Sequence, residues 1–164
     1  MSKKWFFVVC LVMLVWASPV LTKERVRKIK LVGNHLFETS KSITVNDLEK
    51  LPMTEYSVVD PYSKEETGYK GVLLREFVSR FGTQEVVKIT VRAIDEYVIH
   101  FNREEWTRWD ILLATQKNGT HMDVQNGGPV RIVFPYHKSK DIDQVKYHPK
   151  WIWQIKQIEF FTNE

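Results

Sequence analysis

Apolar and polar positions alternate through the middle of the chain. Val87, Ile89, Val91 and Ala93 fall on one face, while Lys88, Thr90 and Arg92 fall on the other. Successive side chains of a strand point to opposite faces, so a period of two predicts a strand. After a break at Asp95-Glu96 the pattern resumes at Tyr97, Ile99 and Phe101, which predicts a hairpin. Further strand candidates lie at 26–32, 56–59, 111–115, 130–134 and 155–161. The period lengthens to that of a helix over 72–81, where Leu73, Leu74, Phe77, Val78 and Phe81 share one face and Gly82 supplies a stop. A shorter helix is predicted over 44–51, with Thr44 as N-cap, Asp47 at the third helical position and Pro52 closing it. Two polar stretches with interspersed tyrosines, 60–70 and 136–150, read as long loops, either lining a cleft or simply exposed. Mostly strand with two short helices and no repeat or linker, the chain is expected to form one α+β domain of mixed or antiparallel sheet.

Residues 1–17 are set apart from that domain. Lys3 and Lys4 precede an apolar run from Trp5 to Trp16, followed by Ala17. This is the form of a general secretory signal and is too short to span a bilayer comfortably. The mature chain is expected to begin near Ser18 and to be periplasmic. The only cysteine, Cys10, lies inside this segment, so the domain at 18–164 has no thiol for a disulfide or a metal.

The formal charge of +4 shrinks once the signal is excluded. Two lysines and no acid leave with it, giving 22 basic and 20 acidic side chains, or +2. That balance does not predict a nucleic-acid partner, which would call for a dominant basic face. Lys23, Arg25, Arg27, Lys28 and Lys30 cluster near the new N-terminus and read as a solvated first segment. Familiar catalytic patterns are missing. The five histidines, His35, His100, His121, His137 and His148, form no close ligand pair, and no G-x-S-x-G elbow is present. Asn118-Gly119-Thr120 matches a glycosylation sequon but reads equally as an N-G turn.

Four stretches in order carry more information: GYKGVLLREFVSRFG, VRAIDEYVIHF, DILLATQKNGTHMDVQNGGPVRIVFPY and KWIWQIKQIEF. Together they resemble the molybdopterin-binding domain of the sulfite-oxidase family, over roughly residues 26–161. The resemblance implies a sulfite-oxidase-like fold and a cleft for a pterin. Asn126 matches a ligand-contact position of the family, and Arg131 follows its Gly-x-Pro-x-Arg turn. In that reading Arg131 aims its donors into the cleft; an ion pair with a nearby acid is the alternative. Pterin recognition asks for a carboxylate toward the 2-amino edge, donors toward the 4-oxo oxygen and a flat plate for the ring. Asp95 and Tyr97 offer an acceptor and a plate, and Asp110 a second acceptor, although both acids also suit plain turn or boundary roles. Tyr69, Trp106 and Trp109 are further plates unless they are core.

The departure from the family is equally informative. Its enzymes hold molybdenum through a cysteine thiolate about ten residues before the aromatic-x-Gly element, here Tyr69 and Gly71. Counting back reaches Val59, beside Asp60, and no cysteine is near. Lys3-Lys4 is not the twin-arginine signal with which folded molybdenum enzymes are generally exported. The resemblance therefore narrows to exported pterin-binding proteins that act on the periplasmic domain of membrane-bound cyclic-di-GMP enzymes. No redox catalysis and no metal are expected. A molybdopterin-dependent oxidoreductase subunit with a non-cysteine metal environment is the alternative, and an interaction domain with an empty cleft is a third reading.

Overall fold

Short alternating strands form two five-stranded sheets among the described residues. The computed structural model describes residues 28–36, 41–136, 141–142 and 145–163. The expected signal at 1–17, Lys23, Arg25, Arg27 and His137 lie outside them. Along the chain come β1 (Lys28–Gly33), β2 (Lys41–Thr44), α1 (Val45–Leu48), β3 (Met53–Val59), β4 (Glu66–Leu73) and α2 (Leu74–Phe81). β5 (Val86–Ala93), β6 (Val98–Asn102), α3 (Arg103–Arg108), β7 (Leu112–Lys117), β8 (Thr120–His121), β9 (Arg131–Val133) and β10 (Ile155–Thr162) follow. One sheet is ordered β2-β1-β10-β5-β6, and the other β3-β4-β7-β8 with β9 also on β7. β1 and β10 pair in parallel and the remaining ladders are antiparallel. The expected α+β class with mixed sheet is what the structure has.

The inward faces meet in one core, where Leu31, Phe77, Ile89, Phe101, Ile132, Phe134 and Ile158 are fully buried. Phe77 of α2 stacks on Phe160 of β10 at 5.8 Å, fixing that helix against the first sheet. Burial of side chains this large stabilises the fold by about 1.5–3 kcal/mol each.

Several boundaries differ from expectation. Residues 66–70, read as loop, belong to β4, and residues 72–73, read as helix, continue that strand. The inward positions of β4 include Thr67, Tyr69 and Gly71, and the threonine and glycine break the apolar alternation that marks a strand. Helix α3 has no counterpart among the predicted elements, although Asn102 followed by Glu105 is a capping-box signature and the box forms. Part of 136–150 is a 3₁₀ turn, Val145–Lys150, rather than open loop. Gly82 does end α2, but with φ −89° it is not in the left-handed region. A Cβ there would press on Phe160 and the Val78 carbonyl, so close packing asks for glycine.

Helix α1 is shorter than expected but capped as expected. The Thr44 side chain accepts from the Asp47 amide at 3.2 Å, and Asp47 accepts from the Thr44 amide at 3.0 Å. Thr44→Ala should lower stability by about 1 kcal/mol in urea denaturation; an unchanged midpoint would show that the box contributes nothing.

Candidate functional site

A buried polar cluster is built within the second sheet, from the end of β3, the middle of β4 and the start of β9. Asp60 follows β3, Tyr69 sits in β4 and Arg131 opens β9. The Tyr69 hydroxyl donates to Asp60 Oδ2 at 2.7 Å. Arg131 donates to the Tyr69 oxygen at 3.0 Å and pairs with Asp60 Oδ2 at 3.1 Å. Asp60 Oδ1 accepts the amides of Tyr62 and Ser63, an Asx-type turn that shapes the β3–β4 connection. Burial alone would raise the Asp60 carboxyl. The hydrogen bonds from Tyr69 and from those two amides, with the Arg131 charge, outweigh it and hold the group below the ordinary carboxylate value. Burial lifts the Tyr69 hydroxyl well above its usual range, with Arg131 opposing and Asp60 adding to the shift.

Above this cluster opens a cleft of about 210 Å³. Its floor is Ala93, Trp151 and Ile152, its mouth is Tyr62, Tyr97 and Trp153, and Asp95 is its charged lining group. Three independent elements supply these residues: the β3–β4 turn, the β5–β6 turn and the segment entering β10. Tyr97 and Tyr62 donate to the Pro149 and His148 carbonyls at 3.0 and 2.8 Å, pinning the 3₁₀ turn beside the cleft. Tyr62 meets Trp153 edge-on at 5.2 Å. Asp95 Oδ1 accepts the Tyr97 amide at 3.0 Å, so the hairpin turn sets carboxylate and ring side by side. The mouth is unusually apolar for surface: Tyr62, Tyr97 and Trp153 are each more than a third exposed.

The sequence-derived site residues divide sharply. Asp95 and Tyr97 come together in the cleft. Arg131 takes the ion-pair alternative: only 6% exposed and committed to Asp60 and Tyr69, it does not point its donors at an open site. Its guanidinium lies 5.6 and 6.0 Å from the Trp151 and Trp153 rings, behind the cleft wall. Tyr69 is fully buried and edge-on to Trp151, so it is no open plate. Trp106 is likewise core, carried inward by α3. Asp110 pairs with Arg75. Asn126 bonds through its amide and side chain to Asp123, both at 2.8 Å, and is absent from the cleft lining. Trp109 lines a different groove.

Sequence reasoning missed Tyr62, Trp151 and Trp153. The first was hidden in a polar loop. The two tryptophans alternate across an extended segment, with Trp151 buried and Trp153 exposed, a signal that W-x-W spacing contains.

The glycines of the Asn126–Pro129 turn also serve the protein itself. Gly127 has φ +84°, and a Cβ on Gly128 would come closer than 3.0 Å to the Met122 backbone. The turn therefore packs on Met122, and Gly127 accepts the Gln154 amide at 3.2 Å beside Trp153. Asn118 and Gly119, with φ 49° and 76°, form the N-G turn between β7 and β8.

A larger groove of about 440 Å³ includes Glu105, Arg108, Trp109, Lys146, Tyr147 and Lys150. Its cations already cover its rings, with Arg108 at 4.5 Å from Trp109 and Lys146 at 4.8 Å from Tyr147. Lys150 pairs with Glu105. The smaller cleft is the better candidate because the cation facing its Trp153 ring, Arg131 at 6.0 Å, is farther off than those in the groove and is already committed to Asp60 and Tyr69.

Comparison with known proteins decides the family. The profile of the oxidoreductase molybdopterin binding domain matches residues 19–160. The chain belongs to this family. Among solved structures, the sulfane dehydrogenase SoxCD from Paracoccus pantotrophus is similar, with a TM-score of 0.62 over 84% of this chain at 16% identity. That likeness shows the fold, and this chain spans 38% of the length of that one. A search of the curated proteins finds no match. The sulfite-oxidase-like fold expected from the four sequence stretches is thus the fold the family member has. Among the described residues, no group of three or more histidine, cysteine or acidic side chains could hold a metal ion. Val59, reached by counting back ten residues from Tyr69, is 55% exposed and offers only hydrocarbon. Both oxygens of the adjacent Asp60 are already engaged.

Proposed function

We propose that this protein binds a free pterin in the Asp95–Tyr97–Trp153 cleft, without redox catalysis, and acts as a periplasmic sensor. The observation that carries the reading is the pairing of one carboxylate with three exposed aromatic rings around an apolar floor. Flat heterocycles stack on such rings, and a carboxylate accepts from an amino edge. The volume is below the ~300–1,000 Å³ of pockets for drug-sized ligands and suits a bicyclic ring. The metal half of the family's cofactor does not fit: among the described residues there is no thiolate, and Asp60, the carboxylate next to Val59 in the chain, is saturated by Tyr69, Arg131 and two amides.

The apolar rim supports a partner role as well. A pterin seated among Tyr62, Tyr97 and Trp153 alters the surface offered to another protein, and a ligand shifts a partner only through differential affinity for its states. We place that partner, following the sequence resemblance, in the periplasmic domain of a membrane-bound cyclic-di-GMP cyclase or phosphodiesterase. Cell fractionation tests the location, and a binding assay with that domain, with and without pterin, tests the coupling.

Titration of the purified protein with pterin, read by tryptophan fluorescence, should saturate at one equivalent. Asp95→Asn keeps the turn acceptor for the Tyr97 amide and removes the charge. A hydrogen bond to a charged group contributes about 1.5–3 kcal/mol, so affinity should fall roughly ten- to a hundredfold. Equal affinity in the variant, or stoichiometric molybdenum in the purified protein, would overturn this reading.

A further inference from the structure

Two Asn-Gly pairs stand at turns of this chain, Asn118-Gly119 between β7 and β8 and Asn126-Gly127 ahead of β9. Chemically they are alike. The main-chain nitrogen that follows an asparagine can attack the side-chain carbonyl and expel ammonia, and glycine, with no Cβ, leaves that nitrogen open to do so. The fold treats the two pairs differently. At Asn126 both reacting ends are held: the side-chain nitrogen donates to Asp123 Oδ1 at 2.8 Å, and the Gly127 amide donates to the Val124 carbonyl at 3.2 Å. Gly127 also lies against Trp153, whose Cβ would be 3.6 Å from a Cβ added at that glycine.

At Asn118 those ends are open. Neither its side-chain nitrogen nor the Gly119 amide has an acceptor among the described residues. Both residues are exposed, and a Cβ on Gly119 would meet nothing within 4 Å. The side chain is instead held by its oxygen, which accepts the Gly68 amide of β4 at 2.9 Å. A donor in that place draws charge away from Cγ and stabilises the negative oxygen that attack creates.

We propose that Asn118, and not Asn126, is a site of self-modification in the folded protein. The Gly119 nitrogen loses its proton to solvent and bonds to Asn118 Cγ; the C–N bond of the side-chain amide breaks, and the nitrogen takes a proton from solvent and leaves as ammonia. Water then opens the resulting cyclic imide, at one carbonyl to give aspartate and at the other to give isoaspartate. The reaction needs no ligand, partner or enzyme, and no redox change. The isoaspartyl product routes the main chain through the side-chain carbon and so lengthens a turn that the pairing of Lys117 with Thr120 and of Gln116 with His121 requires to be short. His121, whose Nε2 lies 2.9 Å from Glu49 Oε1, is on the strand that this change displaces.

The test holds the intact protein at pH 8 and 37 °C and follows both pairs by peptide mass spectrometry, with enzymatic methylation of isoaspartate to identify the product. Conversion at Asn118 should outrun that at Asn126 by about tenfold, because two hydrogen bonds must break before Asn126 can react. In guanidinium chloride the gap should close, since the fold creates it. The isoaspartyl form, separated by ion exchange, should show faster amide exchange at Met122, which donates to the Thr115 carbonyl at 3.1 Å just beyond β8. Asn126 converting as fast as Asn118 in the folded protein, a gap that persists in denaturant, or an Asn118 that stays intact while the unfolded chain converts would each overturn the assignment.

Discussion

Arg131→Met lowers the stability of the fold at neutral pH by about 3–5 kcal/mol, the usual cost of removing one partner from a buried ion pair. The side chains of Arg131 and Asp60 are 8% and 4% exposed, so solvent does little to screen the charge left behind. The loss depends on pH in a defined direction. In the parent the Asp60 carboxyl is depressed. Its contribution is therefore complete above the unfolded carboxylate value, about 3.9, and is lost as pH falls through the folded one. In the variant burial remains but the cation is gone, so Asp60 protonates more readily and the uncompensated charge disappears in acid. The stability gap between parent and variant, read from urea unfolding, should consequently narrow between pH 7 and pH 4. Asp60→Asn combined with Arg131→Met should recover much of the loss, since the amide still accepts from Tyr69 or the Tyr62 amide. A single variant within about 0.5 kcal/mol of the parent, or a gap that ignores pH, would show that the pair does not hold the β3 end to the start of β9.

Gly71→Ala should cost about 3 kcal/mol or more. A Cβ at residue 71 would lie closer than 3.0 Å to the Leu113 carbonyl and Ala114 Cα of β7. These are backbone atoms at a register shift between Lys70 and Gly71, and they cannot yield without opening the β4–β7 ladder. Overpacking that only disturbs side chains costs about 1–3 kcal/mol, and moving a ladder costs more. Gly68 in the same strand is the internal control. A Cβ there meets only Asn118 Oδ1 at 3.6 Å and Ser57 Oγ at 3.7 Å, which are ordinary contacts. Gly68→Ala should remain within about 0.5 kcal/mol of the parent. Equal urea midpoints for the two variants would refute the close-approach account of the aromatic-x-Gly element.

What the sequence made legible follows from how local each signal is. The β5–β6 hairpin could be read because its alternation lies in one short window: Ile89, Val91 and Ala93 precede a single polar break at Asp95-Glu96, and Ile99 and Phe101 follow it. Thr44 and Asp47 announced a cap because both partners lie within one turn. β4 was missed because its inward residues are chosen for partners far along the chain, Tyr69 for Asp60 and Arg131, and Gly71 for the β7 backbone. The same non-locality governs the site. Asp95 and Tyr97 were legible as one turn offering an acceptor and a ring. Arg131 offered two readings, and only the fold, by carrying Asp60 to 3.1 Å from it, chose between them. Tyr62, Trp151 and Trp153 meet Tyr97 only after two sheets have packed, so no window of sequence contains that cleft.

A crystal structure of the protein grown with pterin tests the central claim most directly. The account predicts one ring in the cleft, stacked against Tyr97 or Trp153 with its amino edge on Asp95, and the Arg131–Asp60 pair intact behind it. A pterin seated instead in the Trp109–Tyr147 groove, or a metal-bearing cofactor coordinated beside Val59, would contradict it.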